Sequence, residues 1–555
     1  MKRFLSIEFT ANFFETFLFG LITCFVYFNL LSFFIPADYL TLVPLLFISV
    51  YTFSKKTVRQ DFLTRTSHLL QFFFSKKNLS FVIPFICLLF IYWVIPPYNA
   101  DSGEYHYISI RWYEQFKVVP GLGNVHGRLA FNPASFIISA AWSFTDVAGQ
   151  PIYPLNGVLC LLFYAWLLKR IIIQPANAYN LMLLLMAILL FRTALANISS
   201  PSSDLLSGLL IFYCGFRTYE LIKENKNLYS DYFPVLIVAC FSITAKLSAI
   251  PSLLVLPFIY FVLINKNKQA AIVVKTIMLA SLIIIPWLAR NFILSGYLLY
   301  PILGSNFFHA DWAVPHDVIK LDFIFSKYGP RSMTVDFLTM QKMNVLQLIV
   351  VWLGYMYSNF FFSLVIFFVS FLSPVTWLFF RLQKKKIPLK IFLLWIVYYM
   401  GMCAWLLNSP EFRFGLSYII LALSLPVFEL VQPMPVRWKI PRLVPPALIC
   451  ICLIYYAVSA VTKNSFYFSL TGCWLKPLRD RRYFAKNHIH TFPSVNLGNG
   501  VRLYVADKEH ECLNATGPCM NWRYGEIEMR GNKIEDGFRN VKDEVKQYFP
   551  FVEAK

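Results

Sequence analysis

Charge is what this sequence has least of. Charged residues fill 14% of its 555 positions, where an ordinary soluble chain carries about 25%. Acids are the scarcer half, 29 Asp+Glu against 50 Lys+Arg, for a formal net charge of +21. There is no zinc-ligand spacing, no P-loop, no Gly-x-Ser-x-Gly elbow and no Rossmann fingerprint. A soluble enzyme, a disordered chain and a small disulfide scaffold are excluded by this balance. What is present is apolar: 58% hydrophobic residues, with 56 Phe, 31 Tyr and 13 Trp. The basic excess sits between apolar runs, which argues for a bilayer and against nucleic acid as its partner.

A bilayer-spanning helix needs about 20 mostly apolar residues. Runs of that kind fall at 13–35, 39–54, 79–96, 151–168, 178–196, 204–222, 233–247, 249–264, 271–288, 360–380, 389–407, 415–430 and 443–461. The expected fold is therefore an all-α polytopic membrane protein of about 13 transmembrane helices. Residues 462–555 carry 15 Lys/Arg and 11 Asp/Glu. Charge at that density predicts a second unit, a small soluble α+β domain at 462–555 joined to a transmembrane domain at 1–461. Met1-Lys2-Arg3 precedes a long apolar run with no A-x-A cleavage site, as expected of a retained helix.

Lys and Arg collect on the cytoplasmic side of a membrane. The stretch after the second run holds Lys55, Lys56, Arg59, Arg65, Lys76 and Lys77 against Asp61. Placing it inside also places Lys169-Arg170, Lys223 to Lys226, Lys266 to Lys268, Arg381 to Lys386 and Arg437 to Arg442 inside. The N-terminus is then cytoplasmic and the tail outside, as in a bacterial inner membrane protein with a periplasmic domain. The loops 97–150 and 289–345 share that outer face.

Ionisable residues beside hydrocarbon are costly and point to function, and several meet on the outer face. In Pro96-Pro97-Tyr98-Asn99-Ala100-Asp101-Ser102-Gly103-Glu104-Tyr105-His106, Asp101 and Glu104 fit a capping box. Asp101 also fits a general base at the membrane boundary, where desolvation raises a carboxylate pKa. The Gly-rich turn that follows ends in His126-Gly127-Arg128, which can meet an anionic or sugar ligand or stand solvated. Residues 104–118 and 133–149 read as interfacial helices, with Trp112, Tyr113 and Trp142 at headgroup depth. Asp204, ending Ser199-Ser200-Pro201-Ser202-Ser203-Asp204, reads as an N-cap, or as a second carboxylate that orients an acceptor or holds a divalent cation. Lys246, Arg290 and Arg413 stand at outer span ends, Arg413 in a Ser-Pro-Glu411-Phe-Arg-Phe-Gly turn. Three cations so placed suit a phosphate, or snorkel to lipid headgroups.

In the tail, Cys512 and Cys519 can close a disulfide, leaving Cys473 odd. Residues 501–505 alternate like a strand, and 536–548 read as a closing helix. Asn514-Ala515-Thr516 matches a glycosylation sequon.

The arrangement resembles the GT-C superfamily of membrane glycosyltransferases, in which a first outer loop opens on an acidic residue just past a span. That resemblance implies a polyprenyl-phosphate-linked sugar donor. It sets Asp101 where the catalytic acid stands, with Glu104-Tyr105-His106 in the following helix and Arg413 as the late arginine on the carrier phosphate. Asp101-Ser102 replaces the common adjacent Asp-Glu pair. Tyr98 to Gly103, the Pro-Gly-Leu-Gly-Asn-Val-His-Gly-Arg run and Arg290-Asn291 to Tyr300-Pro301 also look like a family of bacterial envelope membrane proteins.

The expected function is an inverting glycosyltransferase on the periplasmic face, with a glycan, lipid or protein as acceptor. Asp101, Glu104 and His106 are the candidate catalytic groups. Arg413, Arg290 and Lys246 are the phosphate-binding candidates, and Asp204, His126, Arg128 and Glu411 the acceptor-side candidates. The alternatives are a polysaccharide polymerase or ligase using a lipid-diphosphate-linked oligosaccharide, and a lipid-linked sugar flippase. No internal repeat supports the last.

Overall fold

The computed structural model describes residues 11–95, 97, 99, 101–148, 151–173, 178–264, 270–383, 386–431, 444–463, 492–498, 501–506, 512, 518–520 and 525–543. Every one of the thirteen apolar runs is helical. Among the described residues, seven helices are long and apolar enough to cross a membrane. They are Phe13–Leu31, Leu155–Ile172, Tyr179–Asn197, Ser203–Lys223, Val273–Ser295, Leu389–Asn408 and Phe412–Val431. An eighth span results if Phe361–Phe371 and Pro374–Leu382, bent by 40°, are taken together. Pro374, with no N–H to donate, opens the second half of that pair. The other runs are shorter apolar helices, among them Tyr39–Ser54, Tyr229–Ala245 and Leu247–Leu263.

Three features depart from the sequence reading. The stretch after the second run is itself a helix, Lys56–Phe73, with no buried residue. A further apolar helix, Val345–Asn359, opens on an Asn344/Gln347 capping box. The Val273–Ser295 helix runs past residue 288, so Arg290 lies within it rather than in an outer loop.

Ser203–Lys223 and Phe412–Val431 form the middle of the bundle, 78% and 72% buried. They run parallel: the Ser417 hydroxyl donates to the Gly208 carbonyl at 2.6 Å and, further along both helices, the Tyr219 hydroxyl donates to Glu429 at 3.0 Å. Their N-termini therefore end side by side. Over that end the 101–148 segment folds into short helices at Tyr107–Gln115 and Ala134–Ala141. Trp112 and Tyr113 are buried there within the protein, while Trp142 is exposed.

The tail is strand-rich. Strands β1 (Ser494–Asn496), β2 (Arg502–Val505) and β3 (Cys519–Met520) form one sheet in that order, β1–β2 antiparallel and β2–β3 parallel. Strands β4 (Gly525–Met529) and β5 (Phe538–Asp543) make an antiparallel hairpin. The helix expected from 536 is thus a strand over its described part, because Phe538 pairs across to Met529 and buries its ring against Trp112. Cys512 and Cys519 are disulfide-bonded. Cys473, the 514–516 sequon and residues 544–548 lie outside the described residues.

Candidate functional site

The polar cluster sits where the two central helices begin. Unpaired N–H groups give a helix N-terminus a positive end, and both ends carry acids close by. Ser202, not Asp204, is the N-cap of Ser203–Lys223: its hydroxyl accepts from the Asp204 amide at 3.1 Å. The Asp204 carboxylate is left to pair with Lys246 and, at 3.4 Å, with Arg413 Nε. Lys246 reaches it because the Tyr229–Ala245 helix ends there and Lys246 is extended, with φ −164° and ψ 138°. Its ammonium also lies 3.2 Å from the Phe414 ring centre.

Asp101 shows a similar exchange of roles. It starts a helical turn but makes no side-chain cap, so the capping box with Glu104 does not form. Asn99 caps instead, its Oδ1 accepting from the Asp101 amide at 3.1 Å. Arg413 grips both: Nη1 donates to Asn99 Oδ1 at 2.9 Å and Nη2 to Asp101 Oδ2 at 2.7 Å. On the other side Arg128 Nη1 lies 2.5 Å from Glu104 Oε2 and 3.6 Å from Asp101 Oδ1, its guanidinium 5.2 Å from the Tyr105 ring centre. Residues Ser102–His106 form a π-helical turn, a local irregularity frequent at functional sites.

Electrostatics sort these groups. Burial acts to raise the Asp101 pKa, but Arg413, His106 and Arg128 together outweigh it and hold the carboxyl below its usual range. Burial pushes His106 down to about 4, so the imidazole is neutral near pH 7. Its ring packs on Tyr105 and Phe136, and Nδ1 stands 3.5 Å from the Ser200 hydroxyl. Burial raises Glu411, against the pull of Arg413 at 3.9 Å. Glu104, Tyr105 and Asp101 raise Arg128 despite its burial.

Of the residues picked from sequence, Asp101, Glu104, His106, Arg128, Asp204, Lys246, Glu411 and Arg413 come together. Arg290 stands apart from them, and His126 meets the cluster at the Arg128 backbone. The Arg290 guanidinium is buried against Asn132, Ser32 and the face of Tyr113. His126 accepts the Arg128 amide at 3.2 Å and is pushed by burial down to about 3, so it shapes the turn as a neutral ring. Among the described residues no three His, Cys, Asp or Glu converge as a metal-holding group; Arg413 and Lys246 already stand against Asp204.

Several supports were missed. Asn156 Nδ2 donates to the carbonyls of Asn197, Ser200 and Ser202 at 3.3, 2.7 and 2.9 Å, tying down the turn before Asp204. A lone Asn opening an apolar run was its sequence signal. Arg331 donates to the carbonyls of Leu406, Leu407 and Asn408 at 3.0, 2.9 and 3.3 Å, closing the helix before the Arg413 turn. Trp352 and Trp405 hold the carbonyls of Pro410 and Glu411.

Residues 1–420 match a family described as a domain of unknown function (DUF8201), and the chain belongs to that family. The match takes in every residue of this cluster. No curated protein and no solved structure matches the chain.

Proposed function

We propose that the protein is an inverting glycosyltransferase of the bacterial inner membrane that works on the periplasmic face. The thirteen apolar runs are read as thirteen spans, the N-terminus as cytoplasmic and residues 462–555 as periplasmic. One observation carries the reading: Arg413 bridges Asp101 and Asp204 where two helix N-termini meet, so an ionised carboxylate and anion-binding groups share one site.

The donor is a polyprenyl-phosphate-linked sugar and the acceptor a hydroxyl of a glycan, lipid or protein. The acceptor oxygen attacks the anomeric carbon from the face opposite the phosphate. The anomeric C–O bond breaks, its electron pair leaves on the carrier phosphate, and the hydroxyl proton passes to Asp101. Arg413 and Lys246 meet the phosphate, and Asp204 orients Lys246. In the free site Arg413 keeps Asp101 a weak base. A phosphate that draws Arg413 away strengthens it, coupling donor binding to proton removal. A divalent cation beside Asp204 would compete there with Arg413 and Lys246.

The test is transfer from defined polyprenyl-phosphate sugars to envelope acceptors by protein in proteoliposomes. Asp101→Asn keeps the oxygen that faces Arg413 and should lower kcat about 10²–10⁴-fold, while Arg413→Ala should raise the donor KM. Wild-type turnover by Asp101→Asn would refute the base.

A further inference from the structure

The C-terminal hairpin is locked to the turn that carries Arg128. The Phe538 amide donates to the Pro120 carbonyl at 2.9 Å. Asn124, buried, directs its side-chain amide at the carbonyls of Gly121, Trp312 and Phe538, at 3.1, 2.9 and 3.3 Å. One side chain thereby joins three segments far apart in sequence. The two backbones touch through glycines. A Cβ on Gly121 (φ +64°) would stand 2.1 Å from the Phe538 carbonyl oxygen, and one on Gly537 (φ +96°) 2.3 Å from that of Pro120. No other residue permits both the approach and the backbone conformation. Phe538 is fully buried, its ring 5.9 Å from Trp112. Arg530 forks Asp311 at 2.7 and 3.0 Å and lies over Trp312.

The same stretch is gripped on a second side. The Gly121 amide donates to the Ile293 carbonyl at 2.8 Å. A Cβ on Gly127 would meet the Asp322 carboxylate, which accepts from the Tyr300 hydroxyl at 2.6 Å. Between these holds, residues 120–128 end at Arg128, the partner of Glu104 and Asp101.

We propose that the β4–β5 hairpin is a positioning element of the polar site: by clamping the 120–124 turn it fixes Arg128, and through Arg128 the carboxylates of Glu104 and Asp101. Gly537, Phe538 and Asn124 are its positioning residues. This deepens the transferase reading and rests on it only for the activity measurement.

The experiment pairs hydrogen–deuterium exchange with transfer kinetics on the full chain, for wild type, Phe538→Ala, Arg530→Ala and Arg128→Ala. Undocking should speed amide exchange across 121–130 at least about tenfold, leaving the Ser203–Lys223 and Phe412–Val431 helices unchanged. Phe538→Ala should lower kcat as Arg128→Ala does, with donor KM little altered, and the double variant should lose no more than either single. Unchanged exchange at 121–130 in both hairpin variants, or kcat losses that multiply, would overturn the clamp. If Phe538→Ala does not fold, Arg530→Ala, on the exposed edge, decides in its place. If wild type transfers nothing, the transferase reading fails and exchange alone decides the clamp.

Discussion

Arg413 serves Asn99, Asp101 and Asp204 at once, which makes it the side chain on which the others depend. Buried charges are tolerated only when paired, and removing one partner strands the rest at a cost of about 3–5 kcal/mol. Asp322 is the reverse case: burial pushes it up to about 6, against the Tyr300 hydrogen bond and Arg128. A raised folded-state pKa means that the protonated form is favoured by folding. Its stabilisation is whole below pH 4 and is lost as pH rises through 6. Asp322→Asn, neutral throughout, should therefore gain thermal stability relative to wild type between pH 4 and 7, by at most roughly 3 kcal/mol. A difference between the two proteins that does not vary with pH would contradict this. Asp101, Asp204, Lys246 and Arg413 were legible because an ionisable group beside an apolar run is unusual. Their partners were not. Asp101 and Glu104 satisfy a capping pattern in sequence, but Arg413, 312 residues away, and Arg128 bind the carboxylates more strongly than a backbone amide does.

Helix ends organise the next scale up. The turn before Arg413 is held by Arg331 on the last carbonyls of Leu389–Asn408, a cation at the negative end of a helix. Arg331→Met should cost about 2 kcal/mol in unfolding of the purified protein and raise the donor KM, because the Arg413 turn loses its anchor. Unaltered stability and KM would show the contact to be incidental. Elements with strong periodicity were readable, and each apolar run is helical. Val345–Asn359 was not picked out, although Asn344 and Gln347 carry the cap signature. Residues 538–543 were misread because their hydrophobic pattern is short, and pairing with Met529 and burial against Trp112 decide for strand.

At the scale of the molecule, two parallel central helices bring their N-termini to one end, and every other part of the site is hung on that end. A cationic end with acids set into it can take an anion only by exchange, since Asp101 and Asp204 already hold Arg413 and Lys246. Composition and the isolation of ionisable residues beside apolar runs pointed to a polar cluster in a helical bundle, because lipid leaves few places for charge. They could not expose the docked hairpin, which depends on contacts between residues 414 positions apart.

Mass spectrometry of lipid-linked and envelope glycans from a deletion strain, complemented with wild type or with Asp101→Asn, tests the central claim most directly. The account predicts that one sugar disappears on deletion and returns only with wild type. An unchanged glycan profile, or full rescue by Asp101→Asn, would contradict it.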